Sequence, residues 1–491
     1  MHEKLKYDFE ALTFDDVSLV PAESHVVPTQ VDTSTTLAGI RLSAPILSAP
    51  MDTVTEAELA IALARAGGLG VIHRNLSIEA QAGHVERVKK AESWVVNDPI
   101  TLCSSDPVSK AKTLMREHGF SGFPIVNDGR LVGILTGRDI RFQAEDSTRP
   151  VGDFMTRKVV TAPARNLTLP QAKELLHAHR IEKLPLVDEA GLLKGLITLK
   201  DISKSEQHPT ATKDKEGRLR VAAAVGVNDD KRVEALVKAG VDLLVVDSAH
   251  GHSEGVLETI RRIKRYYPRL PIVGGNVSTE EGAEALISAG ADVVKVGQGP
   301  GSICTTRVIA GIGMPQMTAV MLCAKAAKAH DVQIIADGGI RFSGDITKAI
   351  GAGASAVMLG NLLAGTEETP GHTVFVGGRK YKRYRGMGSV GAMLEGSKSR
   401  YGQECINTPS KLVPEGVEGI VPYRGTVGEV IYQLVGGLRA GMGYCGAANL
   451  KELQRKAKFV KLSKASQTES HPHSISLTQE APNYAKPDGP G

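Results

Sequence analysis

Eight short apolar runs punctuate the chain, each closing on small or polar residues: SAPILSAPMD (43–52), LGVIHR (69–74), VAAAVGV (221–227), DLLVVDSAHGH (242–252), PIVGGNV (271–277), DVVKVGQG (292–299), QIIADGGI (333–340) and SAVMLGN (355–361). Between them lie amphipathic stretches with helical spacing, among them SEGVLETIRRIKRYY, STEEGAEALISAGA and FSGDITKAIGAGA. Near-continuous apolar strands alternating with helices predict a parallel sheet buried on both faces. Eight of them predict a closed (β/α)8 barrel rather than an open doubly wound sheet. Such barrels carry their active sites at the C-terminal strand ends, which here hold Asp247, Asn276, the loop around Cys304, Asp337-Gly338-Gly339 and Gly360-Asn361. A barrel serving only as scaffold has no need of so many Gly and Asp residues at one rim.

Between the second and third runs the spacing is far too long for one helix. This insertion, 94–205, repeats itself: DPVSKAKTLMREHGFSGFPIVNDGRLVGILTGRDI aligns with LTLPQAKELLHAHRIEKLPLVDEAGLLKGLITLKDI, so that Pro124 matches Pro185, Gly133 matches Gly195 and Asp139 matches Asp201. The repeat resembles a tandem pair of cystathionine-β-synthase-type (CBS) domains, a Bateman module, which implies a regulatory unit binding purine nucleotides such as ATP or GTP. The resemblance points to Thr136, Asp139, Thr198 and Asp201 as contacts to phosphate and ribose; the plainer alternative is that both aspartates cap the helices that follow. Residues 1–93 and 206–491 are then the two parts of the barrel. A Gly-, Lys- and Arg-rich stretch at 374–422 shows little periodicity and reads as a mobile flap. By composition alone the tail, 463–491, reads as frayed.

Composition narrows the class. Of 491 residues, 42% are hydrophobic and 23% charged, as in ordinary globular proteins, and the net charge of +5 comes from interspersed lysines and arginines. With no basic block or RNA-binding signature, nucleic acid is not expected as the main partner. Five scattered cysteines without a CxxC pair argue against a disulfide framework or zinc site and for a reducing compartment. No apolar leader or membrane-length apolar window occurs, so a cytoplasmic protein is expected.

The candidate chemistry centres on GPGSICTTR (299–307). Cys323 sits in the apolar stretch AVMLCAKAAKA and reads as core, whereas Cys304 sits in a Gly-Pro-Gly loop after a barrel strand. Arg307 and the loop's backbone N–H groups are candidates for the positive setting that a nucleophilic thiol needs. Glycines ending the last two strands, DGGI (337–340) and LGN (359–361), suit a phosphate, and Asp337 suits a ribose diol.

From end to end the chain resembles the inosine-5′-monophosphate (IMP) dehydrogenase family, through LTFDDV, GGNV, GPGSICTTR, ADGGIR, LAGTEETPG, YRGMGS and SRY. GPGSICTTR is shared with guanosine-5′-monophosphate (GMP) reductase; the repeat insertion and the Arg400-Tyr401 pair point to the dehydrogenase. The resemblance implies that Cys304 adds to C2 of IMP, that hydride passes to NAD+, and that the thioimidate is hydrolysed to xanthosine monophosphate once the flap replaces NADH. It implies Arg400 as the water-activating base with Tyr401, and a second route through Thr306 and Glu415. A guanidinium resists deprotonation, so Arg400 needs an unusual setting. Implied substrate contacts are Ser302, Asp337, Gly338, Gly339, Gly360, Asn361, Tyr384, Arg385, Gly386, Met387, Gly388 and Glu415. Asp247, Ser248, Ala249, Gly297, Gln298 and Gly299 are implied for NAD+. A potassium ion is implied at Gly299, Gly301 and Cys304, completed by Glu469, Ser470 and His471 of a neighbouring subunit in a homotetramer; pairing into octamers stays open. Asn361 replaces the usual Ser, and Gly402 a common Phe. The competing readings are a GMP reductase and a catalytically inactive nucleotide sensor.

Overall fold

The near-continuous apolar runs form one sheet of eight parallel strands: β1 (Ile46–Ser48), β2 (Val71–Ile72), β3 (Ala222–Val225), β4 (Leu243–Asp247), β5 (Ile272–Val277), β6 (Val293–Val296), β7 (Gln333–Asp337) and β8 (Ala356–Leu359). The structure, a computed structural model, describes residues 9–484 apart from 98, 166 and 480, and the side chains of 204 and 205 are outside that description. The strand order is β1-β8-β7-β6-β5-β4-β3-β2. Ser48 N donates to Leu69 O (3.2 Å) and Leu69 N to Ile46 O (3.1 Å), which joins the two edges into a nearly closed barrel.

One face of each strand looks inward. Leu47, Val71, Ala224, Leu243, Val245, Val273, Val293, Ile335 and Met358 form the barrel's interior, and Leu37, Ile40 and Leu42 of a hairpin (Thr35–Leu37, Ile40–Leu42) plug one end. Ala38 N donates to Gln333 Oε1 (3.0 Å), which places the plug at the N-terminal strand ends. The alternate residues, such as Ile46, Ile72, Val225, Leu244, Val246, Val294 and Ile334, meet the apolar stripes of the surrounding helices in a second core. Those helices are α1 (Ala57–Arg65), α2 (Ile78–Ala91), α3 (Asp230–Lys238), α4 (Glu254–Tyr266), α5 (Glu280–Ser288), α6 (Gln316–Ala329), α7 (Ser343–Gly351) and α8 (Val427–Tyr444). Continuing the inward register past the apolar layers brings Asp247, Lys295 and Asp337 into the mouth of the barrel.

The flap region differs from expectation. Its base is an antiparallel sheet of Thr373–Val376, Arg379–Arg385 and Glu418–Pro422. Gly377 (φ +56°) and Gly378 (φ +78°) form the two-residue turn, a Gly-Gly hairpin signal hidden by the basic run beside it. The tail also departs from a frayed reading: Lys464–Glu469 is helical, and the ring of Tyr484 stacks on Phe342 at 5.9 Å. Residues 485–491 of the tail lie outside the described residues.

A separate compact unit comprises Glu92–Pro209 with Asp214–Arg218. It exceeds the expected 94–205 because Trp94 packs on Gly217, where a Cβ would come within 2.1 Å of the indole. The sequence repeat is a structural repeat of helix and hairpin. Val108–His118 precedes Gly122–Asn127 and Arg130–Thr136, and Leu169–Ala178 precedes Lys183–Val187 and Leu193–Thr198. Each half has its own core, one around Phe123, Ile125 and Leu135, the other around Leu184, Leu186 and Ile197. Among the described residues no helix is long and apolar enough to cross a membrane.

Candidate active site

A cavity of about 760 Å³ opens over the C-terminal strand ends. Cys304 reaches it from the β6–α6 loop. Cys304 N donates to Gly301 O (3.1 Å), while Thr305 N donates to Glu415 O (2.9 Å) and Val417 N to Ile303 O (3.1 Å), so the flap's returning segment is zipped to the cysteine loop. Cys304 Sγ lies 3.1 Å from Thr306 Oγ1. Arg307 lies close enough for its charge to interact with Cys304, as expected, but its hydrogen bonds go to the backbone: Nε donates to Gln298 O (3.4 Å) and NH2 to Met314 O, and the side chain is packed against Gly299 and Gly313 and braces the loop. Cys323 is fully buried, and burial pushes its thiol up to about 12.

Thr306, Asp337, Gly338, Tyr384, Gly386, Met387, Gly388, Glu415, Arg400 and Tyr401 line the same cavity, as do Asp247, Ser248, Ala249, Gly297, Gln298, Gly299 and Gly301. Ser302, Gly339, Gly360, Asn361 and Arg385 are outside its lining. Tyr384 nevertheless links part of that group: its hydroxyl bonds Ser302 and lies 2.9 Å from where a Gly360 Cβ would stand. Burial raises the Tyr384 hydroxyl to about 12. The Arg385 side chain turns away, with NH2 to Asp52 Oδ2 at 2.7 Å and a second ion pair to Glu395; Asp52 holds it firmly protonated.

Arg400 forms an ion pair with Asp247, and Ala249 N donates to Arg400 O (3.4 Å). Arg400 therefore lies on the residues that the family resemblance implies for NAD+. Tyr401 is buried beside Gly388, and burial raises its hydroxyl above the usual range against the opposing pull of Arg400. Two residues missed in the sequence reading support this cluster. Arg74, after β2, donates to Ser399 Oγ (2.7 Å), and its guanidinium is lowered to about 10 by burial, then by Arg400. Lys295, fully buried, contacts Asp247 Oδ1 (3.0 Å), Asp337 Oδ2 (2.7 Å) and Asn276 Oδ1. A lysine at an inward position within VVKV was the available signal.

The carbonyls proposed for potassium share one loop, with Gly299 at φ +85°. Glu469 and Ser470 are exposed, His471 Nδ1 lies 3.1 Å from Tyr484 Oη, and none of the three lines the cavity. Among the described residues no three His, Cys, Asp or Glu side chains form a metal cluster. In the inserted unit, Thr136 and Asp139 line a cleft of about 730 Å³ with Arg138, Arg141, Lys158, Arg180 and Lys183; Thr198 and Asp201 do not. In both repeats the threonine hydroxyl donates to the aspartate, at 2.8 Å and 2.5 Å.

Residues 11–473 match the family described as IMP dehydrogenase / GMP reductase domain. The chain belongs to the IMP dehydrogenase / GMP reductase family. An inosine-5′-monophosphate dehydrogenase of Aquifex aeolicus is 58% identical over 97% of this chain and 98% of its own. One from Bacillus subtilis is 55% identical over 98% and 99%. A solved GMP reductase variant of Trypanosoma brucei, in complex with guanosine 5′-monophosphate, superposes with a TM-score of 0.83 at 42% identity, covering 97% of this chain and 100% of that one. That coverage is too large to omit the insertion, so within the family the inserted module does not by itself separate dehydrogenase from reductase.

Proposed function

We propose that this chain oxidises IMP to xanthosine monophosphate with NAD+ and water through a covalent bond to Cys304. The full-length likeness to proteins named as IMP dehydrogenases supports the reaction. The observation that carries the residue assignment is the placement of Cys304, Arg400 and Asp247 around one cavity, with Arg400 on Asp247.

The Cys304 thiolate adds to C2 of the purine, making a tetrahedral carbon able to expel hydride. NAD+ supplies the hydride acceptor when bound; the Asp247 carboxylate and the glycine-flanked Gln298 fit its ribose and amide. Asp337 holds the substrate ribose, and Ser302, Gly339, Gly360, Asn361 and Tyr384 its phosphate. The peptide groups of Gly338, Gly386, Met387 and Gly388, with the side chain of Glu415, bracket the base. Hydride transfer needs a dry site and hydrolysis a wet one. Arg400 and the dinucleotide claim the same carboxylate, so the two cannot occupy it together. With the flap in place, Arg400 and Tyr401, or Thr306 through Glu415, take the proton of the attacking water. Arg400 faces both the Arg74 guanidinium, which it helps to lower, and the Asp247 carboxylate, with which it pairs.

Carbonyls of Gly299, Gly301 and Cys304 suit a potassium ion that would fix the loop, with Glu469–His471 supplied by a neighbour in a homotetramer. The basic cleft around Thr136 and Asp139 suits the phosphates of a regulatory purine nucleotide. Five free cysteines fit a reducing cytoplasm.

The test follows NADH absorbance with IMP, NAD+ and potassium for wild type and Cys304→Ala. Turnover in the wild type and at least a thousandfold loss in the variant are expected; no NADH from wild type overturns the reaction. The likeness to a GMP reductase supports a second reading, for which ammonia release from GMP with NADPH is the discriminating product.

A further inference from the structure

We propose that Lys295 is a positioning residue for both ligands of the cavity. Its ammonium pins one oxygen of Asp247 and one of Asp337, leaving the other oxygen of each to face the ligand it serves. The proposal rests on the assignment of Asp337 to the substrate ribose and Asp247 to the dinucleotide.

A lysine facing the interior of a barrel is costly unless its charge is matched. Lys295 has no exposed surface, and its three partners come from three other strand ends. Asp247 ends β4, Asp337 ends β7 and Asn276 lies near the end of β5, so a long side chain from β6 reaches all of them. Room is made by Gly275, where a Cβ would come within 2.6 Å of Lys295 Cβ. Asn276 completes the frame: Nδ2 donates to Asp337 Oδ2 (2.9 Å) and Gly297 O (2.8 Å) while Oδ1 accepts from Lys295.

The oxygens are divided consistently. Asp247 gives Oδ1 to Lys295 and Oδ2 to Arg400. Asp337 gives Oδ2 to Lys295 and Asn276, and its Oδ1 has no hydrogen-bond partner among the described residues. Two carboxylates and one ammonium leave one negative charge, which Arg400 neutralises from the flap. Lys295 thus fixes the geometry of the substrate ribose site and keeps Asp247 ready for an exchangeable partner. A side chain that merely filled the core would be replaceable by methionine.

The experiment compares wild type, Lys295→Arg and Lys295→Met in steady state. In Lys295→Met, KM for IMP and for NAD+ are both expected to rise about tenfold or more, with a smaller fall in kcat and partial rescue in Lys295→Arg. KM values within twofold of wild type for both substrates in Lys295→Met overturn the proposal. Should that variant fail to fold, the pair Asp247→Asn and Asp247→Asn/Lys295→Met carries the test, the double variant keeping the cluster's wild-type charge, read as IMP affinity by calorimetry without dinucleotide. About tenfold weaker binding in the double variant than in Asp247→Asn supports the role, and equal affinity overturns it. Because this readout needs no turnover, it judges Lys295 separately from the reaction, whose failure shows as absent NADH in the wild type.

Discussion

Cys304 lies at the barrel mouth and Cys323 in the core between strands and helices, and these surroundings assign the two thiols opposite fates. Cys304 sits in a loop against a hydroxyl; Cys323 lies in α6 with its Sγ 3.4 Å from Thr279 O. Burial raises Cys323 and Tyr384 to about 12 each, from ordinary values of 9.0 and 10.0. The folded state then holds these protons longer than the unfolded chain, so their contribution is intact below about pH 9 and is lost as pH rises towards 12. Each group contributes a slope of about 1.4 kcal/mol per pH unit within its window. Thermal melts are expected to fall through pH 9–11 and to fall less steeply in Cys323→Ala; identical slopes would contradict the assignment. Single residues were unevenly legible. The loop chemistry around Cys304 stood out because Gly and Pro mark it, whereas Arg74 and Lys295 did not, since a cation in or just after an apolar strand acquires meaning only from the partners that face it.

At the scale of elements, the eight strands and their helices were readable because the strands are buried on both faces, so each is a continuous apolar run set off from the amphipathic helix that follows. The sheet at the base of the flap was missed because its strands are short and largely exposed, and the central one, Arg379–Arg385, is basic, which hides the apolar alternation that marks a strand. Its anchorage is the half-buried Arg385–Asp52 pair, to which Asn75 Nδ2 adds a bond to Asp52 Oδ2 at 2.8 Å. Removing the cation leaves the Asp52 carboxylate, 7% exposed, without its charge partner but still bonded by Asn75, at a cost of about 1–3 kcal/mol. Arg385→Met is therefore expected to loosen the flap while leaving the cysteine chemistry intact. Rapid mixing should show a preserved first burst of NADH and a steady rate lowered about tenfold, the mark of slowed hydrolysis. A rise in KM for IMP with an unchanged steady rate would instead place Arg385 on the substrate.

At the scale of the molecule, the insertion enters between β2 and β3 and leaves the strand register untouched. Ala222 and Ala223 of β3 pair with Val71 and Ile72 of β2. Each half of the inserted unit has a separate core, and the barrel's two cores draw no residue from it. Joining Ala91 to Thr210 and replacing 214–218 by a short turn removes the unit without opening either barrel core. The shortened chain is expected to fold and to retain NADH formation within about threefold, because loop-closure cost grows slowly with length and the proposed catalytic groups all belong to the barrel unit. What it should lose is any response to ATP or GTP, which the cleft around Thr136, Asp139 and Lys183 is proposed to supply. Melting, gel filtration and turnover with and without each nucleotide check this together. A folded shortened chain without turnover would mean that the unit takes part in catalysis, and one that still answers to nucleotide would move the regulatory site onto the barrel.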